Sequence, residues 1–276
     1  MAKIRVSISI DKNLLERLDR EVDGITTKSR SEAIEKIINK HLSERKKCVI
    51  LAGGKPENLY VKSARTYRPL LDIGGETLIE NIISKVKRAG YSDIIIVGAK
   101  EVLSEIYKQI GEGKNIVVEY IEEKTHLGSA NTLLLAKPKI KNTFLFLPCD
   151  HYFEVNLSAM ERYHKHQGGI GTLAVYSGTE YRWSKSSIVD LNGNLIKNYE
   201  EKPKRNKTFL TALLMGFLEP EVFNIIPTTE LSYSLQEDVF PELAKRDQLY
   251  GYLYSGVWKN IHTEKDALEI RNIRKY

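Results

Sequence analysis

Several residues that could contact a ligand or take part in its chemistry follow apolar segments of the chain. Gly53 and Gly54 end one such segment, and paired glycines let the backbone approach a ligand closely. Asp150 ends another, and Glu201 and Lys202 form a charged pair further along. A carboxylate oxygen for Mg²⁺ together with lysines and arginines is the minimum set for chemistry between phosphate groups. The structural alternatives are a strand-end cap for Asp150 and a solvated turn for Glu201 and Lys202.

The sequence pattern from residue 48 onward predicts the strands and helices that position these residues. Apolar runs over 48–52, 93–97, 115–120 and 143–147 predict strands, and amphipathic stretches over 76–89 and near 127–136 predict helices. This alternation is typical of a parallel sheet with helices on both faces. Ligands bind beyond the carboxyl ends of strands in such sheets, so the site is expected there.

The motifs of this segment resemble, in their order and spacing, the sugar-1-phosphate nucleotidyltransferases. The resemblance spans residues 48 to about 270 and rests on six short motifs: Leu51-Ala52-Gly53-Gly54, Arg68-Pro69-Leu70-Leu71, Leu127-Gly128-Ser129-Ala130, Pro148-Cys149-Asp150, Glu201-Lys202-Pro203 and Trp258-Lys259-Asn260-Ile261. It implies a Rossmann-like, mostly parallel α/β fold. The implied reaction joins a nucleoside triphosphate to a sugar 1-phosphate with Mg²⁺ and releases pyrophosphate.

The resemblance also implies roles for individual residues. The nucleotide would be lined by Leu51, Gly53, Gly54 and Gly128. Asp150 would bind Mg²⁺, Glu201 would hydrogen-bond the sugar, Lys202 would meet the sugar phosphate, and Gly216 would lie beside the sugar. Arg68, Asp150 and Lys202 are therefore the predicted catalytic residues.

Three elements depart from the pattern of that family. The loop that holds the triphosphate with an arginine reads Lys55-Pro56-Glu57-Asn58 here, so it loses the guanidinium and gains a negative charge. Arg68 replaces a lysine but keeps its charge. Asn260 replaces the carboxylate of the second metal ligand and leaves Mg²⁺ a neutral carbonyl oxygen. His151 and His262 either face the same pocket or simply pack.

The first 47 residues have a different pattern. Residues 3–10 alternate apolar and polar side chains and predict one half-buried strand, Asp11 can cap a first helix, and Ser29 to Glu32 has the spacing of a capping box that opens a second helix. A single strand has no partner within such a short unit. We therefore expect a second copy of the chain to pair with it, giving a homodimer or a higher even oligomer.

This arrangement resembles the ribbon-helix-helix family of dimeric DNA-binding repressors over about residues 2–45. Two classes of DNA contact follow from the resemblance. Base edges in the major groove would be read by outward strand residues, namely Lys3, Arg5, Ser7 and Ser9. A phosphate would be clamped by the backbone amides that open the second helix, at Ser29, Arg30 and Ser31. The alternative is a dimerisation module with a solvated polar face.

Charge and composition agree with two domains, 1–47 and 48–276. Residues 1–47 carry 12 Lys/Arg and 8 Asp/Glu, whereas the rest carries 30 and 28, so most of the net charge of +6 lies in the short segment. A basic segment meets a polyanion or is a solvated tail. The two cysteines cannot form a disulfide framework or a zinc site by themselves. No apolar run approaches a membrane span and no signal peptide is recognisable, so we expect a cytoplasmic protein.

Two functions follow from these patterns. The first is a transcription regulator in which the dimer reads a palindromic operator on double-stranded DNA, while the larger domain senses a nucleotide, a nucleotide sugar or a sugar phosphate. The second is an active Mg²⁺-dependent nucleotidyltransferase that makes a nucleotide sugar, in which the small domain serves for dimerisation or autoregulation.

Overall fold

The computed structural model describes residues 6–43, 46–113, 115–177, 183–205 and 208–274. The chain divides into two compact units, Met1–Arg45 and Lys46–Tyr276. The division lies two residues before the boundary expected from composition. In the described part of the chain, no helix has both the length and the apolar character that a membrane span requires.

The N-terminal unit contains the helices α1 (Lys12–Asp19) and α2 (Arg30–Ser43). The Asp11 carboxylate caps α1 by accepting hydrogen bonds from the amides of Asn13 and Leu14, as the sequence predicts. The Ser29 hydroxyl accepts from the amide of Glu32, and the Glu32 carboxylate accepts from the amide of Lys28, one residue before the position of a strict capping box.

The strand predicted over residues 3–10 is not formed by residues 6–10 in the single chain, where no helix or strand is assigned. Lys3 and Arg5 lie outside the described residues. The physical reason is the one that led to the dimer prediction, since a strand needs a hydrogen-bonding neighbour and the unit itself offers none. The apolar side chains of this segment are accordingly exposed, with Val6 at 75% and Ile8 at 60%.

The larger unit combines a sheet with helices on both faces. Its helices are α3 (Pro56–Leu59), α4 (Leu78–Arg88), α5 (Lys100–Ile110), α6 (Ser129–Leu134), α7 (Leu157–Gln167), α8 (Phe240–Lys245) and α9 (Glu264–Ile273). Its strands are β1 (Lys46–Ala52), β2 (Tyr60–Val61), β3 (Thr66–Tyr67), β4 (Tyr91–Gly98), β5 (Val117–Glu122), β6 (Phe144–Pro148), β7 (His151–Phe153), β8 (Gly171–Ser177), β9 (Ser187–Asn192), β10 (Leu195–Glu201), β11 (Leu210–Leu218), β12 (Leu249–Tyr254) and β13 (Trp258–Asn260).

The main sheet has the order β5-β4-β1-β6-β11-β8-β12-β10-β9. Strands β5, β4, β1 and β6 are parallel neighbours, as the alternating pattern predicts, whereas β11 runs antiparallel to β6 and β8. The α/β fold class is therefore confirmed, and the sheet is mixed. The carboxyl ends of β1, β4 and β6 meet at one edge, which is where the ligand site was expected.

Strand β1 shows how the sheet separates two layers of core. Cys48, Ile50 and Ala52 face a layer covered by α4, α5 and α9, while Val49 and Leu51 face a layer covered by α6 and α8. Both cysteines, Cys48 in β1 and Cys149 after β6, are buried. Burial raises the pKa of both thiols.

Candidate functional site

A cavity of about 280 Å³ lies at this edge of the sheet and is lined by most of the residues predicted to contact the ligand. Six of them line it: Leu51, Gly53, Gly54, Arg68, Gly128 and Asp150. They come from the ends of β1 and β6, the start of α6 and the segment after β3. Residues up to about a hundred positions apart thus form a single site, as the ends of neighbouring parallel strands should.

The turn after β1 is held in place by a buried carboxylate that the sequence did not reveal. The Gly54 amide donates to Glu123 Oε2 at 2.7 Å, and the Thr132 hydroxyl donates to Glu123 Oε1. A Cβ at Gly53 would lie 2.5 Å from Thr132 Oγ1 and 2.8 Å from Glu123 Oε2, so only glycine fits there. Glu123 directly follows β5, and a search for polar residues at every strand end would have found it.

Gly128 also has a packing role within the chain itself. Its φ is 114°, and a Cβ there would lie 2.4 Å from the carbonyl oxygen of Tyr233. The Ala130 amide donates to that same carbonyl at 3.1 Å. The segment around Tyr233 therefore closes on the start of α6, and glycine at position 128 permits this close approach.

Arg68 and Asp150 form an ion pair at the cavity. Arg68 Nη1 donates to Asp150 Oδ2 at 3.0 Å, and the two side chains are only 23% and 14% exposed. The Asp150 carbonyl accepts from the Ile261 amide at 2.8 Å, which connects the end of β6 to the end of β13. Among the described lining residues, Arg68 supplies the positive charge and Asp150 the negative charge.

His151 and His262 both lie near this carboxylate. Their Nε2 atoms are 4.0 Å from Asp150 Oδ1 and 3.7 Å from Asp150 Oδ2, respectively. Burial lowers the pKa of His151 to about 4 and also lowers the pKa of His262. Both rings are therefore neutral at pH 7, and the Arg68 guanidinium is the cation that balances Asp150.

The loop that departs from the phosphate-binding pattern forms the short helix α3, with Pro56 in its first turn. Asn58 lines the cavity, at the position where the resemblance places the triphosphate-binding arginine. The other cations of this region, Lys55, Lys62 and Arg65, are exposed and are not among the described lining residues. Their charges therefore do not compensate for the missing arginine inside the cavity.

Asn260, the predicted second metal ligand, borders a larger neighbouring cavity of about 730 Å³ together with Trp258 and His262. Its Oδ1 is buried and has no hydrogen-bond partner among the described residues. No cluster of three or more His, Cys, Asp or Glu suited to a metal occurs in the described part of the chain. Asp150 and Asn260 line different cavities, and the bond from the Ile261 amide to the Asp150 carbonyl keeps the ends of β6 and β13 adjacent. A carboxylate and an amide oxygen are donors of the type that Mg²⁺ takes, with phosphate and water completing its shell.

Glu201 and Lys202, predicted to contact the sugar and its phosphate, lie at the end of β10 and are not among the described lining residues of either cavity. Glu201 Oε1 is 3.1 Å from Lys202 Nζ, and Glu201 Oε2 accepts from the Ser187 hydroxyl. Lys202 has a φ of 47°, an uncommon backbone conformation for a lysine. Gly216 is not among the described lining residues of either cavity, although Leu214 of the same strand lines the smaller one, and a Cβ at Gly216 would meet the Thr172 carbonyl at 2.0 Å.

In the N-terminal unit, the predicted DNA-contacting residues that the structure describes are exposed: Ser7, Ser9, Ser29, Arg30 and Ser31. The Arg30 guanidinium makes a bidentate pair with Asp19, at 2.6 and 2.8 Å, and so joins α2 to α1. This pair lowers the pKa of Asp19. Arg30 thus stabilises the helix pair in the single chain, and its backbone amide remains at the start of α2.

Comparison with known proteins assigns a family to each unit. Residues 47–274 match the nucleotidyl transferase family, and residues 4–45 match the ribbon-helix-helix protein, copG family. The chain is 28% identical over 228 residues to a Saccharomyces cerevisiae mannose-1-phosphate guanyltransferase, a match that covers 80% of this chain and 63% of that protein. It is 28% identical over 232 residues to the Methanococcus maripaludis bifunctional protein GlmU, covering 81% of this chain and 53% of that protein.

The chain thus spans somewhat more than half the length of these two relatives. Among solved structures, the fold resembles that of a Bacillus anthracis protein assigned as a glucose-1-phosphate thymidylyltransferase and crystallised with sucrose. The TM-score is 0.74 at 20% identity, and the match covers 82% of this chain and 94% of that one. The chain belongs to the nucleotidyl transferase family and carries an N-terminal ribbon-helix-helix domain.

Proposed function

We propose that the protein is a dimeric DNA-binding transcription regulator whose nucleotidyltransferase-like domain binds a nucleotide or nucleotide sugar as a signal. The observation that carries this proposal is the ion pair between Arg68 and Asp150 in a cavity where Asn58 replaces the triphosphate-binding arginine. The two charges of this pair cancel, and the other described lining residues add no charge.

Electrostatics argue for binding rather than for turnover. A triphosphate carries several negative charges, and phosphoryl transfer depends on cations that stabilise the charge developing in the transition state. The guanidinium in this cavity already neutralises Asp150, and Asn58 adds no charge. A nucleotide sugar carries fewer negative charges than a nucleoside triphosphate, and its base and sugar can form contacts that need no cation. It is therefore better suited to this cavity than a triphosphate.

Mg²⁺ would be held by Asp150 and Asn260 when a nucleotide is bound. It would supply charge neutralisation at the diphosphate. With one carboxylate and one neutral amide, the site holds the ion less tightly than two carboxylates would. Ligand recognition then depends mainly on the backbone around Gly53 and Gly54 and on Arg68.

The DNA-binding part of the proposal rests on the N-terminal unit. Val6 and Ile8 expose apolar side chains that a second copy of the strand would cover, and Ser7 and Ser9 would then lie on the opposite face of the two-stranded ribbon. Two-fold symmetry of the dimer implies a palindromic operator. The start of α2, with Ser29 to Ser31, would clamp a phosphate. We place such a regulator in the cytoplasm with its DNA.

The test is a gel-shift assay with genomic fragments at physiological salt, repeated with GDP-mannose, UDP-glucose, dTDP-glucose and UDP-N-acetylglucosamine. We expect sequence-selective binding at least tenfold above non-specific binding, and a shift in DNA affinity with one of these ligands. Asp150→Ala leaves the Arg68 guanidinium unpaired, so it should change the ligand response and leave DNA binding intact. Absence of any sequence preference would overturn the proposal.

The second candidate is an active nucleotidyltransferase that makes a nucleotide sugar. It is favoured by the presence of Gly53, Gly54, Gly128 and Asp150 around one cavity. Pyrophosphate release from nucleoside triphosphates and sugar 1-phosphates with Mg²⁺ distinguishes the two candidates. Turnover with any pair supports the enzyme, whereas ligand binding without turnover supports the sensor.

A further inference from the structure

The Glu201 carboxylate is held by three neighbours. Its side chain is only 8% exposed, and Oε1 lies 3.1 Å from Lys202 Nζ. Oε2 accepts from the Ser187 hydroxyl and also from Gln236 Nε2 at 3.3 Å. Gln236 Nε2 lies 3.2 Å from Ser187 Oγ as well, so the amide, the hydroxyl and the carboxylate form one small network.

The number of acceptor sites limits what Glu201 can offer a ligand. A carboxylate has about four lone-pair sites, and the three contacts among the described residues use most of them. The remaining site is the one available to a donor such as a sugar hydroxyl. The direction of this remaining lone-pair site is fixed only as long as the carboxylate does not rotate. Ser187 and Gln236 oppose rotation because both donate hydrogen bonds to Oε2.

Gln236 is itself firmly placed. It belongs to a single π-helical turn, Leu235–Val239, whose first amides are capped by the Ser234 hydroxyl. Leu235 is fully buried, and its amide donates to Ser129 Oγ at 2.9 Å. Ser129 lines the cavity next to Gly128. Gln236 therefore lies on a segment that is hydrogen-bonded to the nucleotide end of the site, and its side chain reaches Glu201, the residue predicted to contact the sugar.

We propose that Gln236 is a positioning residue that holds the Glu201 carboxylate in the orientation that accepts a hydroxyl of the ligand's sugar. This inference rests on the proposed binding of a nucleotide sugar. Gln236 acts through Glu201, so it contributes to recognition of the sugar and leaves recognition of the nucleoside diphosphate unchanged. Replacing it lowers affinity for a sugar-bearing ligand selectively.

The experiment measures affinity by calorimetry for GDP-mannose and for GDP, with UDP-glucose and UDP as a second pair. Gln236→Ala is expected to bind the nucleotide sugar roughly tenfold more weakly, the loss of a hydrogen bond to a charged group, and to bind the nucleoside diphosphate as the wild type does. Gln236→Glu places a second carboxylate beside Glu201 and should weaken sugar-ligand binding further. An equal loss for both members of a pair would indicate a merely structural role and overturn the inference.

A matched control is available at Gln109, whose Nε2 donates to the Glu80 carboxylate on the protein surface. Gln109→Ala removes the same type of bond away from the site and should change neither affinity. A ligand-free crystal structure of Gln236→Ala gives a separate readout, in which the Glu201 carboxylate turns away from Ser187. An unmoved carboxylate would also overturn the inference. If the wild type binds none of these ligands, the proposed function fails, and the crystal structure still decides the role of Gln236.

Discussion

Arg68 Nη1 lies 3.0 Å from Asp150 Oδ2, so the cation expected to meet phosphate and the carboxylate expected to meet metal are bonded to each other. Both side chains are mostly buried, and breaking such a pair by removing one partner costs about 3–5 kcal/mol because the other charge is left alone. This pair determines how the site responds to an anionic ligand.

Arg68→Ala should therefore abolish nucleotide-sugar binding, since Asp150 would then repel the diphosphate. Asp150→Asn in the same chain should restore part of the affinity, because the neutral amide removes the repulsion. Calorimetry on both single variants and the double variant measures the coupling. Strictly additive losses would show that the two residues act independently.

Asn260→Asp should increase metal affinity by at least tenfold, because it adds a second carboxylate to the metal site that we propose at Asp150 and Asn260. The probe is Mn²⁺ alone, followed by electron paramagnetic resonance. Asn194→Asp, an exposed position, controls for added charge. Equal Mn²⁺ affinity in the Asn260→Asp protein and the wild type would mean that position 260 does not face the metal.

Ile8→Asp should leave the protein monomeric, because it places a charge on the apolar face that the second strand would cover. Ser7→Ala lies on the opposite face and should keep the dimer while reducing specific DNA affinity by about 1–3 kcal/mol per lost base contact. Sedimentation equilibrium and gel shift separate the two effects. A dimeric Ile8→Asp protein would contradict the proposed ribbon.

Lys202→Gly should weaken ligand binding, because it removes the ammonium beside the buried Glu201 carboxylate. That loss offsets the gain in stability from glycine at a φ of 47°, so the free energy of unfolding should change little. Arg65→Gly is the matched control, since Arg65 has a φ of 52° and lies outside the site. It should raise the free energy of unfolding by about 1 kcal/mol without loss of affinity. Thermal unfolding and calorimetry report the two quantities.

Sequence patterns predicted the strands of the parallel half of the sheet and the N-terminal cap of α1, because these depend on local periodicity and local hydrogen bonds. They also placed Asp150 at the sheet edge, since strand ends meet there, whereas Arg68 was assigned to the site by the family resemblance, and its ion pair with Asp150 was not predicted. They could not reveal the contacts of Glu123 with Gly54 or of Tyr233 with Gly128, which join residues 69 and 105 positions apart and depend on tertiary packing. The N-terminal strand was predicted to pair with a second copy of the chain, and residues 6–10 of the single chain do not form it.

Cys48 lies in β1 and Cys149 directly follows the neighbouring strand β6, and burial keeps both thiols protonated. A thiol-specific reagent can therefore react only with molecules whose central strands have separated. The rate at which the two native thiols react therefore measures how often the sheet opens, and no cysteine has to be introduced. A ligand that binds at the adjoining edge of the sheet should lower this reaction rate in proportion to the fraction of protein that is bound.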